Sequence, residues 1–156
     1  MSMDAIIGGL FLINGIDVWK KYGVFLTESK EGGRDNLKSI LAASKTKEHT
    51  AVNIREVNGE KYSDELVVVN EARDVTLLFA LYAPTKSEWL QKYMDFISFL
   101  KTGEKGWLSL YFPQLELTMR VYYLESSGFN PLTYLWTENV QASNFKVKFR
   151  EPEPII

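Results

Sequence analysis

The sequence predicts a mostly β domain of the α+β class, with one amphipathic helix set among antiparallel strands. Three observations lead to this prediction. Apolar and polar residues alternate over residues 115–124 and again over 142–149, as they do in strands with one buried face. Asn-Gly pairs at residues 14–15 and 58–59 mark the tight turns that join neighbouring strands. One segment carries the three- and four-residue apolar repeat of a helix.

The predicted helix begins after Thr85. The run Thr-Lys-Ser-Glu forms a capping box, in which the Thr85 hydroxyl accepts a hydrogen bond from the Glu88 amide and the Glu88 carboxylate reaches back. The residues that follow place one apolar stripe on the helix: Trp89, Leu90, Tyr93, Phe96, Ile97 and Leu100. Gly103 lies where a left-handed residue commonly ends a helix, so the helix is predicted to end there.

Strands are predicted on both sides of this helix. Before it, they cover residues 10–13, 22–27, 51–57, 66–69 and 75–82, and after it 107–112, 115–124, 132–136 and 142–149. Residues 75–82 are apolar on both faces, which indicates a central strand that is covered on both sides. Residues 128–131 contain glycine and proline and are predicted to form a turn.

The polar segment 28–50 is the part of the chain most suited to touch another molecule. A connection of this length is uncommon in a compact domain and is usually functional or disordered. Residues 36–43 can form a short helical turn within it. The residues predicted to form a subunit interface in this loop are Arg34, Leu37, Ile40, Leu41 and His49.

Length and composition bound the function classes. A chain of 156 residues fits one domain, 1–156, with a core over 10–150 and a short tail over 151–156. It contains no cysteine, which excludes disulfides and thiolate metal sites. The formal net charge of −2 argues against a protein that binds nucleic acid by neutralising phosphates. The uncharged run over 5–16 is shorter than the roughly 20 residues of a membrane span, and we interpret it as the first strand.

No pattern typical of catalysis, cofactor binding or metal binding is present in the sequence. His49, the one histidine, lies in a polar loop, and no Cys/His metal spacing, Gly-rich phosphate loop or Gly-x-Ser-x-Gly elbow occurs. The acidic neighbours at 64–65 and at Glu151 and Glu153 are interpreted as solvated surface. The basic face of the last strand is interpreted as facing solvent. The chain is therefore predicted not to be an enzyme, with no cofactor and no catalytic or metal-binding residue.

Several local strings, in this order, resemble the distal tail proteins of long-tailed bacteriophages. Phe11-x-x-Asn14-Gly15-x-Asp17, followed by Tyr22-Gly23-Val24, resembles the opening of those proteins. The turn at 58–59, the run Arg73-Asp74-Val75-x-Leu77, the helix end over 96–103 and the aromatic strand from Trp107 are similar to that family too. The similarity is one of order and pattern and covers residues 10–149. The related tail-tube and baseplate-hub proteins are the alternative families for this resemblance.

The resemblance implies a split β-barrel of two antiparallel sheets with a flanking helix. It also implies a homo-oligomer, usually a hexameric ring, around a channel for DNA at the distal tail or baseplate. Tube, hub and tape-measure proteins would be its partners, with no sequence-specific nucleic acid and no membrane. Such a protein, from a phage or a prophage, belongs to the virion tail and is assembled in the cytoplasm of the bacterial host.

In rings of this family, neighbouring sheets join into an inner barrel and a long loop reaches the next subunit, which is the role implied for residues 28–50. A mildly acidic chain also suits a channel along which DNA slides without sticking. Two departures from the family are expected to matter. The chain stops after the first domain, and it lacks a carbohydrate-binding signature, so direct recognition of the host is not expected.

Two other function classes remain open at this point. The first is a monomeric β-barrel that binds a small apolar or flavin-like ligand among Trp107, Tyr111, Tyr122 and Tyr123, because barrel interiors do hold ligands. The second is an enzyme on a split barrel, which would require a cluster of perturbed titratable groups in a cleft. The sequence offers no such cluster.

Overall fold

The structure is a computed structural model, and it describes residues 9–28, 33–131 and 141–156. The strands are β1 (Leu12–Ile13), β2 (Ile16–Asp17), β3 (Val24–Leu26), β4 (Arg73–Ala83), β5 (Leu108–Phe112), β6 (Leu117–Pro131) and β7 (Gln141–Glu151). The helices are α1 (Val18–Tyr22), α2 (Asp35–Leu41) and α3 (Lys86–Thr102). The prediction of a mostly β domain of the α+β class is confirmed.

The seven strands form one antiparallel sheet in the order β2-β1-β5-β6-β7-β4-β3. The long strand β6 links two ladders, because residues 117–121 pair with β5 and residues 122–131 pair with β7. The change of partner lies between Val121 and Tyr122. The sheet thus consists of two ladders that share β6, and the division into two sheets that form a split barrel stays a prediction.

Phe79 of β4 lies at the centre of the core, between the sheet and α3. Its ring centroid is 5.8 Å from that of Phe11, 5.6 Å from Phe96 on α3, and 6.0 and 6.4 Å from Phe145 and Phe149 on β7. Tilted and edge-on rings at these separations are favourable in addition to the apolar area that they bury. This stack fixes α3 against β4 and β7.

The last strand separates its residues by face, as its alternation predicts. The apolar residues of β7 lie in the core: Phe145, Val147 and Phe149. On the opposite face Lys148 lies 3.6 Å from Glu125, and Arg150 lies 2.9 Å from Asp74. The register places each partner directly across the ladder, so Lys148 and Arg150 meet acidic neighbours within the same sheet, whereas Lys146 lies opposite Leu78 and Ser127.

Five predicted segments differ from the structure or lie outside the described residues. No regular strand forms over 51–57 or 66–69 among the described residues, where isolated bridges occur instead. Residues 128–131, predicted as a turn, continue β6. The predicted strand 132–136 lies outside the described residues. Tyr22, predicted to begin the strand 22–27, is instead the last residue of α1, which forms because Asp17 Oδ1 accepts a hydrogen bond from the Trp19 amide and caps the helix.

The Thr85 half of the predicted capping box is present at the N-terminus of α3. The Glu88 amide donates to the Thr85 hydroxyl at 3.2 Å, and Gly103 closes the helix by donating to the Phe99 carbonyl at 2.8 Å. Thr85→Ala is therefore expected to lower the free energy of unfolding by about 1 kcal/mol, measured by urea denaturation. Ser87→Ala, in the same exposed turn, is the control, and an equal loss in both variants would contradict a role for the cap.

Candidate assembly surface

The short helix α2 is fixed to the edge of β4 by side chains that replace a missing strand. β3 pairs with β4 only from Phe79 to Leu81, so further along β4 the edge amides need other acceptors. The Leu78 amide donates to Asn36 Oδ1 at 2.8 Å, and the Thr76 amide donates to Ser39 Oγ at 3.0 Å. These bonds hold α2 beside the sheet in one orientation.

The start of α2 is capped by a residue outside the helix. Both carboxylate oxygens of Glu28 accept hydrogen bonds, one from the Asp35 amide at 3.0 Å and one from the Asn36 amide at 3.1 Å. A carboxylate satisfies free amides at a helix N-terminus and interacts favourably with the helix dipole. With Ile40 buried on the inner side, Leu37 and Leu41 lie exposed on the outer side of α2.

Residues 42–72 form an extended hairpin-like segment, which we call the arm. Two isolated antiparallel bridges hold its limbs together, Thr46 with Asn70 and Val52 with Lys61. Backbone hydrogen bonds from Lys47 to Val69 and from Glu71 to Lys45 support the first bridge. A turn that contains Gly59, with a φ of 72°, lies near the far end. The arm is thus a chain reversal with few bonds of its own.

The arm exposes an unusual amount of apolar side chain. Val67 and Val68 are 76% and 64% exposed. Five more large apolar residues of the arm are exposed: Val52, Val57, Tyr62, Leu66 and Val69. Single exposed apolar residues are ordinary, but contiguous apolar surface on a soluble chain marks sites of interaction. Four consecutive exposed apolar residues over 66–69 fit this description.

A buried ion pair holds the base of the arm. Arg73 Nε lies 2.6 Å from Glu151 Oε1, and both side chains are less than a tenth exposed. The Arg73 guanidinium also donates to the carbonyl of Ala42, where the first limb of the arm begins. Glu151, interpreted from the sequence as solvated surface, is 5% exposed, so that interpretation is wrong. The sequence separates the two partners too widely for a pattern to reveal them.

The C-terminal segment 152–156 packs along the same base. The Asn70 side-chain amide donates to the Pro154 carbonyl at 3.1 Å, and the Ser44 amide donates to the Ile156 carbonyl at 3.1 Å. Pro154 is buried. Both limbs of the arm are therefore tied to the chain that follows β7, and the arm leaves the domain from a fixed point.

The far part of the arm brings together a small cluster of polar and aromatic groups. His49 lies edge-on to the Tyr62 ring, with centroids 6.4 Å apart. The Tyr62 hydroxyl donates to Glu60 Oε2 at 2.6 Å, and this hydrogen bond together with the carboxylate charge raises the pKa of Tyr62. The cluster is open to solvent, and such a pair keeps the phenol protonated rather than activating it.

The five residues predicted for a subunit interface divide into three positions. Arg34, Leu37 and Leu41 are exposed at the start and on the outer side of α2. Ile40 is 3% exposed and packs in the core, so its side chain is not available to a neighbour. His49 lies in the arm. The prediction from sequence missed the most exposed apolar residues of the arm, Val67 and Val68, because a run of valines is typical of a strand.

The aromatic residues of the ligand-binding alternative do not line one cavity. Tyr122 and Tyr123 are adjacent on β6 and point to opposite faces. Trp107 lies under the Arg120 guanidinium, 3.9 Å from its ring centroid, beside an open groove that none of the three tyrosines lines. The ring stack around Phe79 occupies the interior. No observation on the described residues favours a small apolar or flavin-like ligand.

Within the part of the chain that the structure describes, no group of three or more His, Asp or Glu side chains is placed to hold a metal ion. Among the same residues, no helix has both the length and the apolar character needed to cross a bilayer.

Comparison with known proteins gives one informative result. No protein-family model and no curated protein matches the sequence. Among solved structures, the chain is similar to the Dit protein (gp 19.1) of phage SPP1, a paradigm of the hub adsorption apparatus in phages that infect Gram-positive bacteria. The TM-score is 0.52 at 12% sequence identity, over 89% of this chain and 48% of the SPP1 chain. This chain thus spans about half the length of that protein, and over most of its own length it has the fold of a phage distal tail protein.

Proposed function

We propose that this protein is a structural component of a phage or prophage-derived tail, and that it forms a ring at the distal tail or baseplate. The likeness of its fold to the SPP1 hub protein supports this role. The observation that carries the proposal is the arm, whose base is fixed by a buried ion pair while its apolar residues stay exposed. A free monomer gains nothing from such an arm, whereas a subunit in an assembly buries it.

In the proposed ring, the arm of one copy lies against the next copy. The outer side of α2 belongs to the same interface, through Leu37, Leu41 and Arg34. A closed ring uses a head-to-tail interface in which two different surfaces of the chain meet. The arm and the body of the domain are two such surfaces. The hexameric state and the contacts with tube, hub and tape-measure proteins rest on the family resemblance.

Passage of DNA through the ring is part of the proposal, and the charges of the chain are compatible with it. The net charge is −2, and the basic residues Lys148 and Arg150 on the outer sheet face each have an acidic partner. Paired charges hold a polyanion less well than free lysines, because binding to DNA depends on charges that can replace its counterions. A mildly acidic chain suits a channel along which DNA slides without sticking.

The proposal is tested by the mass of the protein in solution and by two matched double variants. We expect the wild-type chain to form a closed oligomer, seen by light scattering after gel filtration and as rings in negative stain. Val67→Lys/Val68→Lys should abolish the oligomer, because two charges would enter an apolar contact. The control is Leu90→Lys/Met94→Lys, which places the same charges on exposed apolar positions of α3 and should leave the oligomer intact.

Circular dichroism and thermal unfolding of each variant separate loss of assembly from loss of fold. Assembly that survives in the arm variant would contradict the interface. A wild-type monomer that copurifies with a bound small molecule would contradict the tail role itself and favour the ligand-binding barrel. If the wild type is a monomer without a ligand, mixing it with the tube and hub proteins of the same phage must produce a complex.

A further inference from the structure

An open groove at the start of β5, which we call the Trp107 groove, places basic groups beside aromatic rings. The Arg120 guanidinium lies 3.9 Å from the centroid of the Trp107 ring, and the Tyr122 ring meets Trp107 edge-on at 5.8 Å. Lys105 lines the same groove, in which Glu104 is the one acidic residue among the described residues. Arg120 and Lys105 are exposed, and neither side chain has an ion pair or hydrogen bond with another described residue. The groove thus offers positive charge next to apolar surface.

The Trp107 ring is held in place through the backbone on both sides of it. The backbones of Trp107 and Glu104 exchange two hydrogen bonds, at 2.9 and 3.0 Å. The Asn14 side chain donates to the Trp107 carbonyl at 3.4 Å and accepts from the Ser109 amide at 2.7 Å. Gly103, with a φ of 48°, permits this turn, because a Cβ there would overlap the Trp107 carbonyl oxygen. An anchor that is already ordered loses little entropy when it binds a partner.

The arm carries the opposite charge next to its apolar run. Asp64 and Glu65 directly precede the exposed residues 66–69, and neither carboxylate has an ion pair with a described residue. Over residues 48–66 the arm has five acidic residues and two basic ones. An acidic pair beside valines complements a guanidinium beside aromatic rings, both in charge and in apolar character. Trp, Tyr and Arg are also the residues that most often dominate the binding energy of an interface.

We propose that the arm of one copy docks in the Trp107 groove of the next copy. The acidic pair 64–65 then reaches the Arg120 guanidinium, and the apolar run 66–69 covers the Trp107 and Tyr122 rings. This inference rests on the proposed ring, and it names the body surface that a head-to-tail interface requires. Each copy uses its arm once and its groove once, so the same contact repeats around the ring.

Charge reversal on each side tests the contact. Arg120→Glu alone and Asp64→Arg/Glu65→Arg alone should each raise the concentration at which the oligomer dissociates by about tenfold or more, because like charges then meet in the interface. The variant that combines all three substitutions should regain most of the lost affinity, since opposite charges face each other again. Lys20→Glu reverses an exposed basic residue of α1 that does not line the groove, and it should leave the oligomer unchanged. Light scattering over a concentration series measures all four variants.

A cross-link between different chains locates the contact directly. The sequence contains no cysteine, so Leu66→Cys and Ser109→Cys each introduce a single thiol, one in the arm and one in the groove. A short bismaleimide should join the two variants when they are mixed, and it should join neither variant to itself. Absence of the mixed product from an intact oligomer would place the arm elsewhere and overturn the proposal.

The outcomes separate this inference from the ring itself. Circular dichroism checks that Arg120→Glu stays folded. An oligomer that survives Arg120→Glu, or that the combined variant fails to restore, would overturn the docking site, while loss of the oligomer in Val67→Lys/Val68→Lys would still support the ring. A wild-type monomer would overturn the docking of a second copy, and the tail role would then be decided by the mixture with the tube and hub proteins.

Discussion

Glu151→Ala is expected to lower the free energy of unfolding by roughly 3–5 kcal/mol. In the wild-type chain, Arg73 Nε lies 2.6 Å from Glu151 Oε1. The substitution removes this carboxylate and leaves the guanidinium buried without it. A buried charge that loses its partner costs more than the pair contributed, because neither water nor another acid replaces it. The loss is measured by urea denaturation.

Two comparisons make this prediction specific. Glu153→Ala removes the same group two residues further on, at an exposed position, and is expected to change stability by less than about 0.5 kcal/mol. Arg73→Met/Glu151→Met removes both charges and should recover much of the loss. A double variant as unstable as Glu151→Ala would show that packing, rather than the unpaired charge, dominates.

The same substitution bears on the arm. Arg73 also donates to the Ala42 carbonyl, so the guanidinium joins β7 to the first limb of the arm. When Glu151 is removed, the guanidinium is no longer held in one orientation. We expect faster hydrogen exchange over residues 42–47 and 69–72 in Glu151→Ala, under conditions in which the core amides of β4 remain protected.

The elements that the sequence predicts well are those whose pattern reflects their own burial. The stripe on α3 and the alternation in β7 follow directly from one buried face, and both appear in the structure, except that Leu90, predicted in the stripe, is 52% exposed. The long apolar segment over 75–82 is buried on both faces, with Leu78 and Ala80 enclosed as well. In each case the residues that set the pattern are also the residues that pack.

The prediction of strands over 51–57 and 66–69 was wrong for the opposite reason. Their valines have a high strand propensity, which measures packing on a pleated and half-buried surface. In the arm no such surface lies beside them within the described chain, so isolated bridges form and the valines stay exposed. We infer that these valines pack against a surface that another molecule provides.

The contacts that fix the candidate interface were hidden for a different reason. Glu151 and Arg73 are brought together only by the register of β4 with β7, which places them opposite each other. Asn36 meets Leu78 only because β3 ends early. A single buried polar side chain produces no periodic pattern in a sequence, so the buried roles of Glu151 and Asn36 were not predicted. The exposed residues of α2, by contrast, were predicted from the loop alone.

Asn36→Ala is expected to lower the free energy of unfolding by about 2–4 kcal/mol. Asn36 is 7% exposed, and its side chain accepts from the Leu78 amide at 2.8 Å while it donates to the Thr27 carbonyl at 2.7 Å. Asn36 also donates to the Leu78 carbonyl at 3.3 Å, so alanine removes three bonds and deprives the buried Leu78 amide and the part-buried Thr27 carbonyl of these partners. Leaving such groups unpaired costs more than the bonds contribute in net terms.

The matched control is Asn53→Ala, an exposed asparagine of the arm, for which we expect a change of less than about 0.5 kcal/mol. Asn36→Asp keeps an acceptor for the Leu78 amide but places a carboxylate oxygen against the carbonyls that the amide nitrogen bonded, so it should also destabilise. Urea denaturation measures the stability of all three variants.

If Asn36→Asp is as stable as the wild type, the donor half of the amide is unimportant and the acceptor alone holds α2. If Asn36→Ala is also neutral, α2 is held by Ile40 and Ser39, and the orientation of Leu37 and Leu41 does not depend on this side chain.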